Sequence, residues 1–162
     1  MVLNDFYESV NTKVQKFLYP RRFKTKRRNT TYKLDIGNQS VFLCVGQYDN
    51  GDVGEIFIDL HKEGSTMRAI FNCLAIAVSL GLQYGVPLKT YIHFFSYTNF
   101  EPNGIVIGFD KVKNCTSIVD AIFRILAIQY LNMTEYEDKK LRSTDTNNDP
   151  SISIQDKYNK DE

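Results

Sequence analysis

Between Thr31 and Leu60 the apolar residues follow the period of a strand, and from Ser65 to Leu131 they follow that of a helix. Strand side chains alternate between two faces, whereas a helix returns to one face every three or four residues. A chain that switches period once, near residue 64, makes its sheet first and its helices afterwards. That segregated order predicts an α+β domain rather than alternating βα units.

In the first half, Tyr32, Leu34 and Ile36 alternate with Thr31, Lys33 and Asp35, and Gly37-Asn38 supplies a turn. Val41 to Tyr48 is predicted as a second strand, central because both of its faces carry β-branched or aromatic residues. Asp49-Asn50-Gly51-Asp52 reads as a hairpin turn, since Asn and Gly tolerate positive φ. Glu55 to Leu60 follows as a third strand, with Ile56, Ile58 and Leu60 on one face. The simplest topology is a three-stranded antiparallel meander.

In the second half, Ser65 to Tyr84 is predicted as a long helix closed by Gly85 in the left-handed conformation. Its most apolar part, Ala69 to Leu82, is interrupted by Asn72 and Ser79 and is too short to span a bilayer, so it reads as a buried core helix. Pro87 suits the first turn of another helix running to Phe95. Phe100 to Gly104 is a loop. Ser117 to Leu131 is a third core helix, with Ile118, Ile122, Ile125, Leu126 and Ile128 on its apolar face.

Flanking segments frame this body. Leu3, Phe6, Val10, Val14, Phe17 and Leu18 predict an amphipathic helix over Asp5 to Leu18, with Asn4 as N-cap and Pro20 as the boundary. Residues 134–162 are polar, with too few large apolar side chains to offset ordering entropy, and are expected to be a disordered tail. The chain thus divides into an N-terminal helix (1–20), a folded domain (21–133) and a tail (134–162).

With 162 residues and 43% apolar content, the sequence supports one buried core. A net charge of +1 excludes a bulk-basic nucleic-acid binder. Met1 to Asp5 lacks the basic and apolar pattern of a secretory signal, so a soluble cytoplasmic chain with no membrane partner is expected. The two free edges of a meander and the very apolar helix predict a homo-oligomer.

The residues predict no complete catalytic constellation. Cys44, Cys73 and Cys115 form no Cys-x-x-Cys pair. Cys44 and Cys73 read as buried small hydrophobes. Cys115 stands near a helix start, which can lower a thiol pKa, without a partner base nearby. His61 and His93 do not combine with the cysteines at zinc-ligand spacing. No nucleophile elbow, phosphate loop or dinucleotide fingerprint is present.

Two places suggest binding instead. Arg21, Arg22, Lys24, Lys26, Arg27 and Arg28 cluster around Phe23, a pattern that attracts phosphates and offers a ring for stacking on a base. The plainer reading is a solvated basic connector. Lys62, Gly64, Ser65 and Arg68 lie at a strand-to-helix junction, where free amides and two cations are available to a phosphate or nucleotide. The plainer reading there is an ordinary helix start.

The run from Gly46 through Tyr48-Asp49-Asn50-Gly51-Asp52, continuing as Gly54-Glu55-Ile56-Phe57-Ile58-Asp59-Leu60-His61-Lys62-Glu63-Gly64-Ser65, is distinctive. Leu82-Gln83-Tyr84-Gly85-Val86-Pro87-Leu88, Thr98-Asn99-Phe100-Glu101-Pro102-Asn103-Gly104, Asn114 to Arg124 and Tyr130-Leu131 continue it in order. Together these blocks, from about Tyr19 to Leu131, resemble the C-terminal region, often called the TSCPD domain, of adenosylcobalamin-dependent (class II) ribonucleotide reductases.

The resemblance implies that radical chemistry and the adenosylcobalamin site belong to a catalytic barrel that this sequence lacks, so no cofactor is expected on this chain. Those reductases commonly end in a Cys-x-x-Cys tail, whereas the segment after Thr134 has no cysteine. The resemblance therefore implies a non-catalytic binding module, an accessory or small subunit docking on a large catalytic reductase chain. The alternative is an independent regulatory protein that binds nucleic acid or a nucleotide.

Overall fold

The computed structural model describes residue 14, residues 19–61 and residues 64–138. Apart from Val14, the predicted N-terminal helix lies outside the described residues, as do Lys62 and residues 139–162. The body is α+β. Its strands are β1 (Arg28–Ile36), β2 (Gln39–Gln47), β3 (Val53–Leu60), β4 (Gly104–Ile107) and β5 (Asn114–Cys115). Its helices are α1 (Ser65–Gln83), α2 (Leu88–Phe95) and α3 (Ile118–Leu131), followed by a 3-10 turn at Thr134–Tyr136.

The predicted meander is present, with β2 antiparallel to both β1 and β3. Tyr32 faces Leu43, Leu34 faces Val41, and Val45 faces Ile56, so one side of the sheet is lined by apolar pairs. Leu34, Ile36, Val41, Leu43, Val45, Ile56, Ile58 and Leu60 are buried in a common core with the helices. Phe42, Cys44 and Phe57 lie on the opposite face, where Phe57 is about half exposed.

The sheet is larger than the meander. Its order is β3-β2-β1-β4-β5, all neighbours antiparallel. β4 contributes only Val106 to the core, while Ile105 and Ile107 face solvent. β5 has two residues. Neither strand is long enough for its alternation to stand out in the sequence.

α1 ends as predicted. Gly85 has φ +88°, Val86 N–H donates to Gly81 O (2.9 Å) and Gly85 N–H to Leu82 O (3.0 Å). These are the paired bonds of a Schellman end, which needs the left-handed residue that glycine supplies without strain. Pro87 is the N-cap of α2 rather than part of its first turn.

The burial of α1 differs from the expectation. Phe71, Ala75, Val78 and Leu82 are buried, but Ile70, Ile76 and Leu80 are at least half exposed. Among the described residues the helix is therefore not enclosed. It lies along β3, and no other described element covers its outer side. Cys73 is exposed and Cys44 half-buried, so neither is the fully buried hydrophobe expected, whereas Cys115 is buried.

α3 is the enclosed helix. Every residue from Ile118 to Ile128 is buried. Ser117 caps its start, accepting from Asp120 N–H at 2.9 Å. The two charged residues inside it are held by specific partners. Asp120 accepts from the amides of Tyr97 (2.7 Å) and Thr116 (3.0 Å). Arg124 donates to Tyr136 O and Asn114 O, each at 2.9 Å, and pairs with Asp138. Asp138 in turn accepts from the amides of Lys113 and Asn114, so packing continues past Met133 through Asp138.

Candidate binding surfaces

The basic segment precedes β1 and crosses the β2–β3 hairpin. Arg21 N–H donates to Gln83 O (2.8 Å), fixing the segment to the last turn of α1. The Arg21 guanidinium donates to Asp52 (2.9 Å) and Asn50 (3.0 Å) and lies 3.7 Å from the centre of the Tyr48 ring. Tyr48 returns a bond from its hydroxyl to Arg21 O at 2.7 Å. Phe23 stacks on the other aromatic of the pair, with 4.2 Å between its ring and that of Tyr48.

The cations find carboxylates. Lys24 pairs with Asp49, and Arg27 makes a forked contact with the buried Glu55. The Lys24 pKa is raised by its hydrogen bond and attraction to Asp49, and that of Asp49 is lowered by the same contact. Burial raises the Tyr48 pKa, partly offset by Arg21. The segment is thus a basic strap on an acidic hairpin, a neutralising arrangement. Arg22, Lys26 and Arg28 are exposed and have no carboxylate partner among the described residues.

Phe23 is consequently engaged within the fold. Its stacking on Tyr48 leaves room for no side chain at Gly54, where an added Cβ would come within 2.2 Å of Tyr48 and 2.7 Å of Phe23. Sequence reasoning missed the carboxylates Asp49, Asp52 and Glu55 as partners. Their signal was available as an acidic cluster around the hairpin turn, separated from the strap by more than twenty residues.

The second predicted surface comes together less well. Gly64 is the N-cap of α1 and makes no side-chain capping bond, and Ser65 opens the helix. Arg68 turns back to the strand, donating to Leu60 O from Nε (3.1 Å) and from a terminal nitrogen (2.6 Å), and pairing with Asp59. Its guanidinium is committed to β3. The two predicted surfaces also do not meet: the strap lies at the C-terminal end of α1, at Gln83, and Arg68 near its N-terminal end, about 22 Å away along the helix.

A cleft of about 420 Å3 opens beside the strap, lined by Tyr19, Arg21, Tyr48, Leu82, Pro87 and Leu131 among others. It is of the size that suits a small ligand. Its one cation among the described residues, Arg21, already has Asp52 as partner. Elsewhere, the Cys115 thiol donates to Gly104 O, and burial pushes its pKa up, contrary to the activation a helix start can provide. His61 and His93 are exposed. No group of three or more His, Cys, Asp or Glu residues is placed to hold a metal among the described residues.

Comparison with known proteins sets these surfaces in context. The family model described as TSCPD domain matches residues 14–130. A vitamin B12-dependent ribonucleotide reductase of Agrobacterium fabrum is 51% identical over 110 residues, covering 68% of this chain and 9% of that protein. The reductase of Bradyrhizobium diazoefficiens is 52% identical over 107 residues, 66% of this chain and 8% of its own. That of Rhodopirellula baltica is 40% identical over 126 residues, 76% of this chain and 12% of its own. The chain therefore spans about a tenth of the length of these relatives. No solved structure matches. The match over most of the described body, at up to half identity, establishes that this chain belongs to the TSCPD domain family.

Proposed function

We propose that this chain is a non-catalytic binding module that docks on the large catalytic chain of a B12-dependent ribonucleotide reductase, as an accessory subunit. The observation that carries this reading is the half-identical match to one short region of those reductases. The described side chains are consistent with it. Charged groups such as Arg124, Asp120 and Glu55 stabilise the fold, and Cys115 is held as a buried thiol. The adenosylcobalamin site belongs to the catalytic chain in this reading. A 420 Å3 cleft suits a small ligand and not a corrinoid.

The test is co-purification with the host's reductase chain, followed by assay of that chain with and without this protein. The expected result is a stable complex and an increase in turnover. Absence of both overturns the proposal.

A second reading, binding of a nucleic acid or another polyanion, is favoured by Arg22, Lys26 and Arg28, the exposed cations of the strap left without a carboxylate partner among the described residues. Arg21, Lys24 and Arg27 contribute less, because their charges are already matched. The nucleotide site at Lys62, Gly64, Ser65 and Arg68 loses one of its cations to Asp59 and Leu60. Titration with single-stranded DNA across a salt series separates this reading from the first.

A further inference from the structure

We propose that the outer face of α1 pairs two copies of this chain as antiparallel helices related by a two-fold axis. Ala69 to Gln83 contains no charged residue. One side of the helix, including Phe71, Ala75, Val78 and Leu82, is buried along β3. The other presents Ile70 (59% exposed), Cys73, Ile76 (51%), Leu80 (50%) and Tyr84 (38%). At helical spacing these residues form one stripe centred near Cys73. A helix with apolar residues on two opposite sides normally has both covered, and among the described residues only the side along β3 is.

The pattern within the stripe points to a second copy. It offers no charge with which to recognise or orient a charged partner. Its small residues, Cys73 and Ala77, alternate with large ones. An antiparallel pair centred between Ile76 and Ala77 sets Leu80 of each copy against Cys73 of the other, and Ile76 against Ala77. Leu80 and Ile76 then each meet a small side chain, while Ile70 falls opposite Gln83. A parallel pair in register would instead set Leu80 on Leu80 and Ile70 on Ile70.

Closing the stripe on itself buries roughly 1,000 Å2 across the two copies, close to the lower limit for a specific interface. An interface at that limit is expected to be weak and reversible. The pairing stands apart from the reductase reading and requires no other protein.

The test is sedimentation velocity of the full chain from about 1 to 100 µM, in which a reversible monomer–dimer equilibrium is expected. Leu80→Glu and, separately, Ile76→Lys shift it to monomer by at least tenfold, while the thermal unfolding midpoint, compared at a concentration where the wild type is also monomeric, falls by only a few degrees, since both sites are half exposed. Leu80→Cys, treated with oxidised glutathione, gives a disulfide-linked dimer through the native Cys73 of the second copy. Thr90→Cys, on the exposed side of α2, does not. A wild-type chain that is monomeric throughout the range overturns the proposal, as does a dimer that persists in Leu80→Glu. Co-sedimentation with phosphatidylcholine–phosphatidylglycerol vesicles that Leu80→Glu abolishes would assign the face to a lipid surface and overturn it as well.

Discussion

The Ser79 hydroxyl accepts a hydrogen bond from Ile56 N–H at 2.9 Å and lies 3.2 Å from Ile56 O, to which it donates. Ile56 sits on β3, the edge strand of the sheet. One residue of α1 thus satisfies both backbone groups that an edge strand would otherwise offer to another chain. Gln83 and Arg68 extend the same device, donating to Gly54 O (3.4 Å) and Leu60 O (2.6 Å). The polar residues of α1 lie on the side that borders the strand edge, which leaves the opposite side apolar.

Ser79→Ala removes a partner from two backbone groups at once. The expected cost is about 1–3 kcal/mol, from leaving a partly buried donor and acceptor unsatisfied. Urea unfolding measures it as a fall in midpoint with unchanged slope. A loss under half a kilocalorie would mean that water replaces the hydroxyl without penalty.

Gly54→Ala places a methyl group where the Tyr48 and Phe23 rings already stand. The rings or β3 must shift, at an expected cost of about 1–3 kcal/mol. Because Phe23 carries the strap, the same variant should increase amide exchange over residues 21–27. Unchanged exchange there would separate the strap from the Phe23–Tyr48 stack.

The strap cations divide into two groups. Replacing Arg22, Lys26 and Arg28 together by Ala should leave stability unchanged and, under the polyanion reading, reduce the slope of log affinity against log salt by about 2–3. Arg27→Ala should instead destabilise the fold, by about 1–3 kcal/mol, because Glu55 is left buried without its ion partner. A triple variant with an unaltered salt slope would rule out the polyanion reading.

Acid stability should respond to Asp138. Burial opposes its charged form, but the Arg124 guanidinium and the amides of Lys113 and Asn114 together hold its pKa below the ordinary carboxylate value. A carboxylate with a lower pKa in the folded state contributes stability above its unfolded pKa, near 4, and loses that contribution as pH falls through the folded value. Asp138→Asn should lower stability at neutral pH and flatten the decline below about pH 4. The comparison is a pair of urea titrations across pH 2–7.

Thiol labelling distinguishes the cysteines. Cys73 is exposed in the single chain and, at concentrations too low for pairing, should react fastest with a maleimide, whereas buried Cys115, with its raised pKa, should react only on unfolding. Rapid labelling of Cys115 in the folded chain would contradict the packing of β5 against α3.

The strands of the meander were legible because each spans several alternations with turn residues between them. Tyr32, Leu34 and Ile36 announce β1, and the Asp49 to Asp52 turn joins β2 to β3. Ser117 and Gly85 marked helix ends through local chemistry, a side-chain cap and a left-handed residue. β4 and β5 were not legible, since four residues and two residues carry too little periodicity. For the binding surfaces, the sequence displayed the cations of the strap but not their neutralisation.

The sequence by itself determined the α+β class, the meander and the family, because these depend on local periods, turn residues and ordered blocks of identity. Only the tertiary structure decided that α3 rather than α1 is the enclosed helix. Both contain long apolar stretches, and composition cannot tell how many sides of a helix find partners. It also decided that Arg21, Lys24 and Arg27 face Asp52, Asp49 and Glu55. Those pairs join residues more than twenty positions apart, and an ion pair depends on where folding brings its charges rather than on their order along the chain.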